Sequence, residues 1–195
     1  MRVIGKILTS LKAVVFDVDG TLVDLKINWN LLKNHLENTF QKKFQRLHDG
    51  IQKLDPGNKK IALEIIANHE LENSTNWIIN DFFVKWIINH SEKIKICLLS
   101  NNTKSTIDLF LRQSDLTKHV SYFISLNDVS HPKPNSEGFK KIINHLNLKS
   151  NEILLIGDTE YDEIICKENN ISCCISNWLE DENFDDFFQK LNDFK

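Results

Sequence analysis

The stretch Val14-Val15-Phe16-Asp17-Val18-Asp19-Gly20-Thr21-Leu22-Val23-Asp24 limits the fold more than any other part of the chain. Its apolar, β-branched start reads as a buried strand of a parallel sheet, running from about Lys12 to Asp17. The strand stops in two acids and a glycine, and glycine lets the backbone turn sharply and approach a ligand closely. In open α/β sheets ligands sit beyond the carboxyl ends of the strands, which is where this spacing puts Asp17 and Asp19. Two carboxylates so close repel, and they need a cation between them or a proton on one. By itself the motif reads equally well as an acidic turn, so the rest of the chain must decide.

After Asp24 the spacing changes, and no strand-like run is expected before about Ile94. Apolar residues at helical spacing predict a helix from Trp29 to about Phe44 and a shorter one near Arg46 to Leu54. A second long helix follows the Asp55-Pro56-Gly57-Asn58 turn toward Leu71, and a third carries Trp77, Ile78, Phe82, Phe83, Trp86 and Ile87. Residues 25–92 therefore read as an all-helical insert with Trp29, Trp77 and Trp86 in its core, and Trp29, close to the hinge, is the one of the three placed to face a ligand. From Lys93 strands and helices alternate, which implies parallel βαβ units. Strands are expected at Ile94–Leu99, Tyr122–Ser125, Ile153–Ile156 and Ile171–Ile175, with helices over Thr103–Gln113, Ser136–Leu146 and Tyr161–Asn169. An α/β fold with a central parallel sheet is the expectation, its core made of residues 1–24 and 93–195. A closing helix is expected to carry Phe184, Phe187, Phe188, Leu191 and Phe194, and the sheet is expected to lack a final edge strand.

Several function classes are disfavoured by bulk properties. At 195 residues the chain can build one good core plus a modest insertion. A net charge of −3 with no basic stripe leaves no footprint for nucleic acid, and the apolar runs are too short to span a bilayer. The one lysine and one arginine of Met1 to Leu11 are not followed by the apolar segment and cleavage site of a secretory signal. Cys97, Cys166, Cys173 and Cys174 form no Cys-x-x-Cys pair, and reduced, buried thiols in a cytoplasmic protein are expected. The histidines show no metal-binding spacing.

Four successive strand ends or following loops carry polar chemistry: Asp17 and Asp19, Ser100 and Asn101, Lys133 between two prolines, and Asp158 with Asp162 one helical turn on. Parallel strands bring such ends to one edge of the sheet. Three acids there need a divalent cation, and oxygen-only ligands favour magnesium over zinc. A lysine and a hydroxyl beside that cation suit a phosphoryl group. Singly, Ser100-Asn101 reads as a turn or cap, Lys133 as a surface lysine, and Asp158 with Asp162 as the acidic start of a helix.

Together these residues resemble the haloacid dehalogenase-like superfamily, nearly end to end. Phe16-Asp17-Val18-Asp19-Gly20-Thr21-Leu22-Val23-Asp24 is similar to its first motif, Ser100-Asn101 to the second, Lys133-Pro134 to the third, and Gly157-Asp158-Thr159-Glu160-Tyr161-Asp162 to the fourth. The insert resembles the helical cap of the subfamily that includes phosphoglycolate phosphatase and β-phosphoglucomutase. The resemblance implies a Rossmann-like three-layer core with that cap, and a magnesium-dependent phosphatase acting on a small phosphorylated metabolite. It implies Asp17 as nucleophile, Asp19 as acid and base, and Ser100, Asn101, Lys133 and Gly20 around the phosphate. It also implies Mg2+ on the Asp17 carboxylate, the Asp19 carbonyl and Asp158, with Asp162 orienting the Mg2+ waters or Lys133. A phosphosugar mutase, or a non-catalytic binder of phospho-ligands, would share these motifs. No nucleic acid or membrane partner is expected, and the chain is expected to be a monomer or a weak homo-oligomer.

Overall fold

The computed structural model describes residues 2–4, 11–176 and 178–179, with residues 2–4 described by backbone alone. The closing phenylalanine-striped helix expected over residues 184–194 lies outside the described residues. In chain order the strands are β1 (Arg2–Ile4), β2 (Ala13–Phe16), β3 (Val23–Asp24), β4 (Ile78–Ile79), β5 (Lys95–Leu99), β6 (Tyr122–Ile124), β7 (Ile153–Gly157) and β8 (Ser172–Ile175). The helices are α1 (Trp29–Phe40), α2 (Leu47–Gln52), α3 (Pro56–Leu71), α4 (Asp81–His90), α5 (Lys104–Gln113), α6 (Glu137–Leu146) and α7 (Glu160–Asn169).

The central sheet runs β1-β8-β7-β2-β5-β6. Five of its strands are parallel, and β1 joins antiparallel to β8, pairing Val3 with Cys174. The sheet therefore ends in an edge strand taken from the N-terminus, where a missing edge was expected. Side chains alternate across β2, as period-two strands require. Val14 and Phe16 enter one apolar layer with Ile107 and Phe110 of α5, while Ala13 and Val15 enter the other with Phe139 and Ile142 of α6 and Ile165 of α7. Both faces of the sheet are covered, giving a three-layer α/β core.

Inside the insert, Leu32, Leu36, Phe44, Ile51, Ala62 and Ile66 of the α1–α3 region form their own apolar cluster, joined by Leu126 from the core. Two local expectations fail here. Helix α1 ends at Phe40, because Gln41 turns into the left-handed region (φ 49°) and donates its amide to the Glu37 carbonyl. Phe44 lies beyond that turn, where its amide donates to the Glu37 carboxylate at 3.0 Å. The third helix starts at Asp81 instead of near Trp77: Ile78–Ile79 pair with Val23–Asp24 as a short antiparallel ribbon, and the Asn80 side chain caps the helix by accepting from the Phe83 amide at 3.3 Å. The apolar face of α4 packs on the sheet layer. Phe83 and Trp86 meet Phe16 edge-on, with centroids 5.2 and 6.1 Å away, so Trp77 and Trp86 sit in the sheet cluster and not in a separate cap core.

The cysteine expectation is corrected as well. Cys166 of α7 and Cys173 of β8 are joined as a disulfide with Cα atoms 5.9 Å apart, while Cys97 and Cys174 are free and buried. Packing of α7 directly on β8 brings the two thiols together across a short loop, a proximity that their spacing in the chain does not reveal. The disulfide removes unpaired thiols as an argument for a reducing compartment. Among the described residues no helix is long and apolar enough to cross a membrane.

Candidate active site

Adjacent parallel strands β2, β5 and β7 end on the same edge, and Asp17, Ser100 and Asp158 follow them directly. The turn after Asp17 needs its glycine. Gly20 has φ +81°, and a Cβ there would lie 2.2 Å from Asp158 Oδ2. The first and fourth motifs thus touch across a position that tolerates no side chain.

Lys133 is buried, and both sides of its backbone are held by the Asn101 side chain. The Lys133 amide donates to Asn101 Oδ1 at 2.9 Å, and Asn101 Nδ2 donates to the Lys133 carbonyl at 3.0 Å. Its ammonium lies 2.8 Å from Asp17 Oδ2 and 2.7 Å from Asp162 Oδ1. Asp162 is fixed in turn by the start of α7: its Oδ2 accepts from the Thr159 amide at 3.2 Å and the Thr159 hydroxyl at 2.7 Å. Asp162 thus has one oxygen on Lys133 and the other on Thr159. Asp17 Oδ1 accepts the Val18 amide at 2.7 Å.

The carboxylates of Asp17, Asp158 and Asp162 offer oxygens within 4.8 Å of one another. Asp19 adds none to that cluster; its Oδ1 accepts the Leu25 amide at 3.0 Å while its side chain lines the same cleft. Burial, opposed by the Leu25 hydrogen bond, pushes Asp19 up to about 7. Burial likewise raises Asp17 to about 7 against the pull of Lys133, and raises Asp158, with the help of Asp162, to about 6. Burial alone would lower Lys133, but Asp162 and Asp17 lift it above its ordinary value. Three carboxylates against one ammonium leave excess negative charge in a site largely out of water. The donors are all oxygens, so the residues fit a hard divalent cation.

The cleft encloses about 600 Å3. Its floor carries Asp17, Asp19, Gly20, Ser100, Asn101, Lys133 and Asp158; Asp162 lies behind it. The insert supplies the opposite wall, with Trp29, Lys33, Arg46 and His48. Trp29 is 41% exposed and meets the His48 ring edge-on at 5.8 Å. His48 Nε2 is out of solvent with no hydrogen-bond partner among the described residues, and burial with the nearby Lys133 charge pulls His48 down to about 4. Of this wall only Trp29 was marked by the sequence. Lys33, Arg46 and His48 sit in an ordinary amphipathic helical pattern, and only the docking of the insert on the core turns them toward the cleft.

Residues 14–176 match the model of the haloacid dehalogenase-like hydrolase family. The chain is 24% identical over 191 residues to pyrophosphatase PpaX of Oceanobacillus iheyensis, covering 90% of this chain and 88% of that protein. Among solved structures it resembles a provisionally assigned phosphoglycolate phosphatase of Lactobacillus plantarum, with a TM-score of 0.68, 15% identity, and 91% and 92% of the two chains covered. It also resembles a provisionally assigned β-phosphoglucomutase of Thermotoga maritima, with a TM-score of 0.58, 19% identity, and 83% and 82% covered. With a family model spanning most of its length and all four strand-end motifs on one sheet edge, the chain belongs to the haloacid dehalogenase-like hydrolases.

Proposed function

We propose that the chain is a magnesium-dependent phosphatase that hydrolyses a small phosphorylated metabolite through an aspartyl-phosphate on Asp17. The observation that carries this reading is the Asp17 carboxylate held 2.8 Å from the Lys133 ammonium on the floor of a cleft that Asp19 also lines. An Asp17 oxygen attacks phosphorus in line, and the bond to the leaving oxygen breaks as Asp19 delivers a proton to it. Asp19, now a carboxylate, takes a proton from water. That water's oxygen attacks the phosphorus, freeing phosphate and restoring Asp17. A carboxyl raised to about 7 can hold and release this proton near neutral pH.

Ser100 and the Asn101 backbone amide bind phosphoryl oxygens, and Lys133 balances their charge under the control of Asp162. A magnesium ion held by Asp17, Asp158 and the Asp19 carbonyl supplies further charge compensation when bound. Residues 25–92 serve as the cap segment, anchored to the sheet at their C-terminal end by α4. Lys33 and Arg46 on the cap side of the cleft favour a leaving group that carries negative charge, which suits a phosphoglycolate- or pyrophosphate-like substrate better than a sugar phosphate, whose leaving group is a neutral sugar.

The test is phosphate release across a panel of phosphorylated metabolites, with and without magnesium. Release without a bisphosphate activator separates hydrolysis from mutase activity. Retention of turnover by Asp17→Asn would overturn the assignment of the nucleophile.

A further inference from the structure

One buried acid stands where an acid is costly. Glu70 is fully buried near the C-terminal end of α3, the helix end whose dipole disfavours negative charge. Its carboxylate reaches out of the insert to the loop that follows β5. Oε1 accepts from Asn102 Nδ2 at 2.9 Å. Oε2 accepts from the Thr103 amide at 3.0 Å and from the Thr103 and Thr106 hydroxyls at 2.6 Å each. Burial raises the Glu70 pKa, while Thr103, Thr106 and Asn102 hold it down. A well-packed apolar residue at such a place is often as stabilising as a buried charge, so stability alone does not explain the acid.

The consequence runs through Asn102 to Ser100. Both Glu70 oxygens are acceptors in this arrangement, so the Asn102 nitrogen faces Glu70 and its oxygen faces away. That oxygen accepts the Ser100 hydroxyl at 2.6 Å, and Ser100 Oγ accepts the Asn102 main-chain amide at 3.2 Å. A serine hydroxyl has one proton. Asn102 Oδ1 therefore competes with a phosphoryl oxygen for the proton that Ser100 could donate.

We infer that Glu70 is a positioning residue: through Asn102 it turns the Ser100 proton away from the phosphoryl site and so limits affinity for phosphate. The inference rests on the phosphatase reading, in which phosphate is the product to be released. A bound phosphoryl dianion recovers the proton because a charged acceptor outcompetes a neutral amide. Taking the proton breaks the Ser100–Asn102 hydrogen bond, so phosphate gains correspondingly less on binding and its release is easier. Because Glu70 belongs to the insert, seating of α3 on the core and the direction of the Ser100 proton are one event.

Glu70→Gln tests this with a change of sign. Three donors converge on Oε2, so the glutamine oxygen takes that place and its amide nitrogen faces Asn102. Asn102 must then flip and present its nitrogen to Ser100, which leaves the Ser100 proton free for phosphate. Inorganic phosphate, titrated calorimetrically in the presence of magnesium, is expected to bind roughly fivefold more tightly, the worth of one net hydrogen bond. The swap of Glu70→Gln with Asn102→Asp again presents an acceptor to Ser100, and should return affinity to the wild-type value or weaker.

A simple loss of packing would lower the melting temperature and weaken binding; it would not tighten it. Unchanged or weaker phosphate binding by Glu70→Gln overturns the inference, as does a swap variant that stays as tight as the single one. Absence of phosphate binding by both wild type and Glu70→Gln overturns it too. Failure of the wild type to turn over p-nitrophenyl phosphate while still binding phosphate defeats the phosphatase reading alone.

Discussion

Lys133 and Asp17 lie 2.8 Å apart, each side chain less than a tenth exposed, and Asp162 completes the pair from the other side at 2.7 Å. Removing the ammonium would leave two carboxylates buried without a counter-charge. Lys133→Ala should therefore cost roughly 3–5 kcal/mol in urea denaturation without metal, the usual penalty for breaking a buried ion pair. Added magnesium should restore more stability to this variant than to the wild type, because it supplies the missing positive charge. Equal stabilisation of both proteins would show that magnesium does not take over the charge of the lost ammonium.

Asp17→Asn keeps the shape of the side chain and an acceptor for Lys133, but it removes the nucleophile. Turnover should fall at least ~10³-fold, as for loss of a covalent catalyst, with the melting temperature unchanged or raised. The raised value of Asp17 in the folded state gives the sign: a carboxyl pushed up by burial favours the neutral form, and asparagine is neutral. Steady-state kinetics beside a thermal melt checks both halves.

Asp158 separates metal binding from folding. Its carboxylate lies against Gly20 and within reach of the Asp17 and Asp162 oxygens. Asp158→Asn should raise the magnesium concentration for half-maximal activity about 10–100-fold, as altered metal environments do. Chelation should abolish wild-type activity, and magnesium should bring it back. An unaltered magnesium curve in the variant would remove Asp158 from the ligand set.

His48 makes a prediction about pH. Its value falls to about 4 in the folded chain, from an ordinary 6.5, because of burial and the Lys133 charge. Between those values the unfolded chain holds the proton and the folded chain does not, so unfolding takes up a proton. The stability contributed by keeping His48 neutral is complete above about pH 6.5 and declines as pH falls toward 4. The urea midpoint of the wild type minus that of His48→Asn should therefore increase as pH rises from about 4 to 6.5, whatever the acids of the site contribute to both proteins. Identical slopes would show that His48 titrates normally.

Some parts of this molecule were readable from local chemistry. Apolar runs at Ala13–Phe16, Lys95–Leu99 and Ile153–Gly157 mark strands whose two faces must both be covered. Asn170 ends α7 in the left-handed conformation that its short polar side chain tolerates. Other parts had no local signal. A two-residue ribbon such as Val23–Asp24 with Ile78–Ile79 is too short to show a period, and α4 carries the same amphipathic pattern whether it packs on the insert or on the sheet.

What the amino-acid sequence by itself determined is the set of strand-end residues, Asp17, Asp19, Ser100, Asn101, Lys133, Asp158 and Asp162. Parallel crossover units leave their carboxyl ends no other common edge. Tertiary structure alone decided which residues face that edge from above and which support it from behind. Lys33 and His48 line the cleft opposite the floor, and Glu70 reaches Asn102, only because the insert docks on the core as it does, and Cys166 meets Cys173 only because α7 lies on β8. Contacts between units far apart along the chain depend on that docking, and side-chain spacing within either unit carries no record of it.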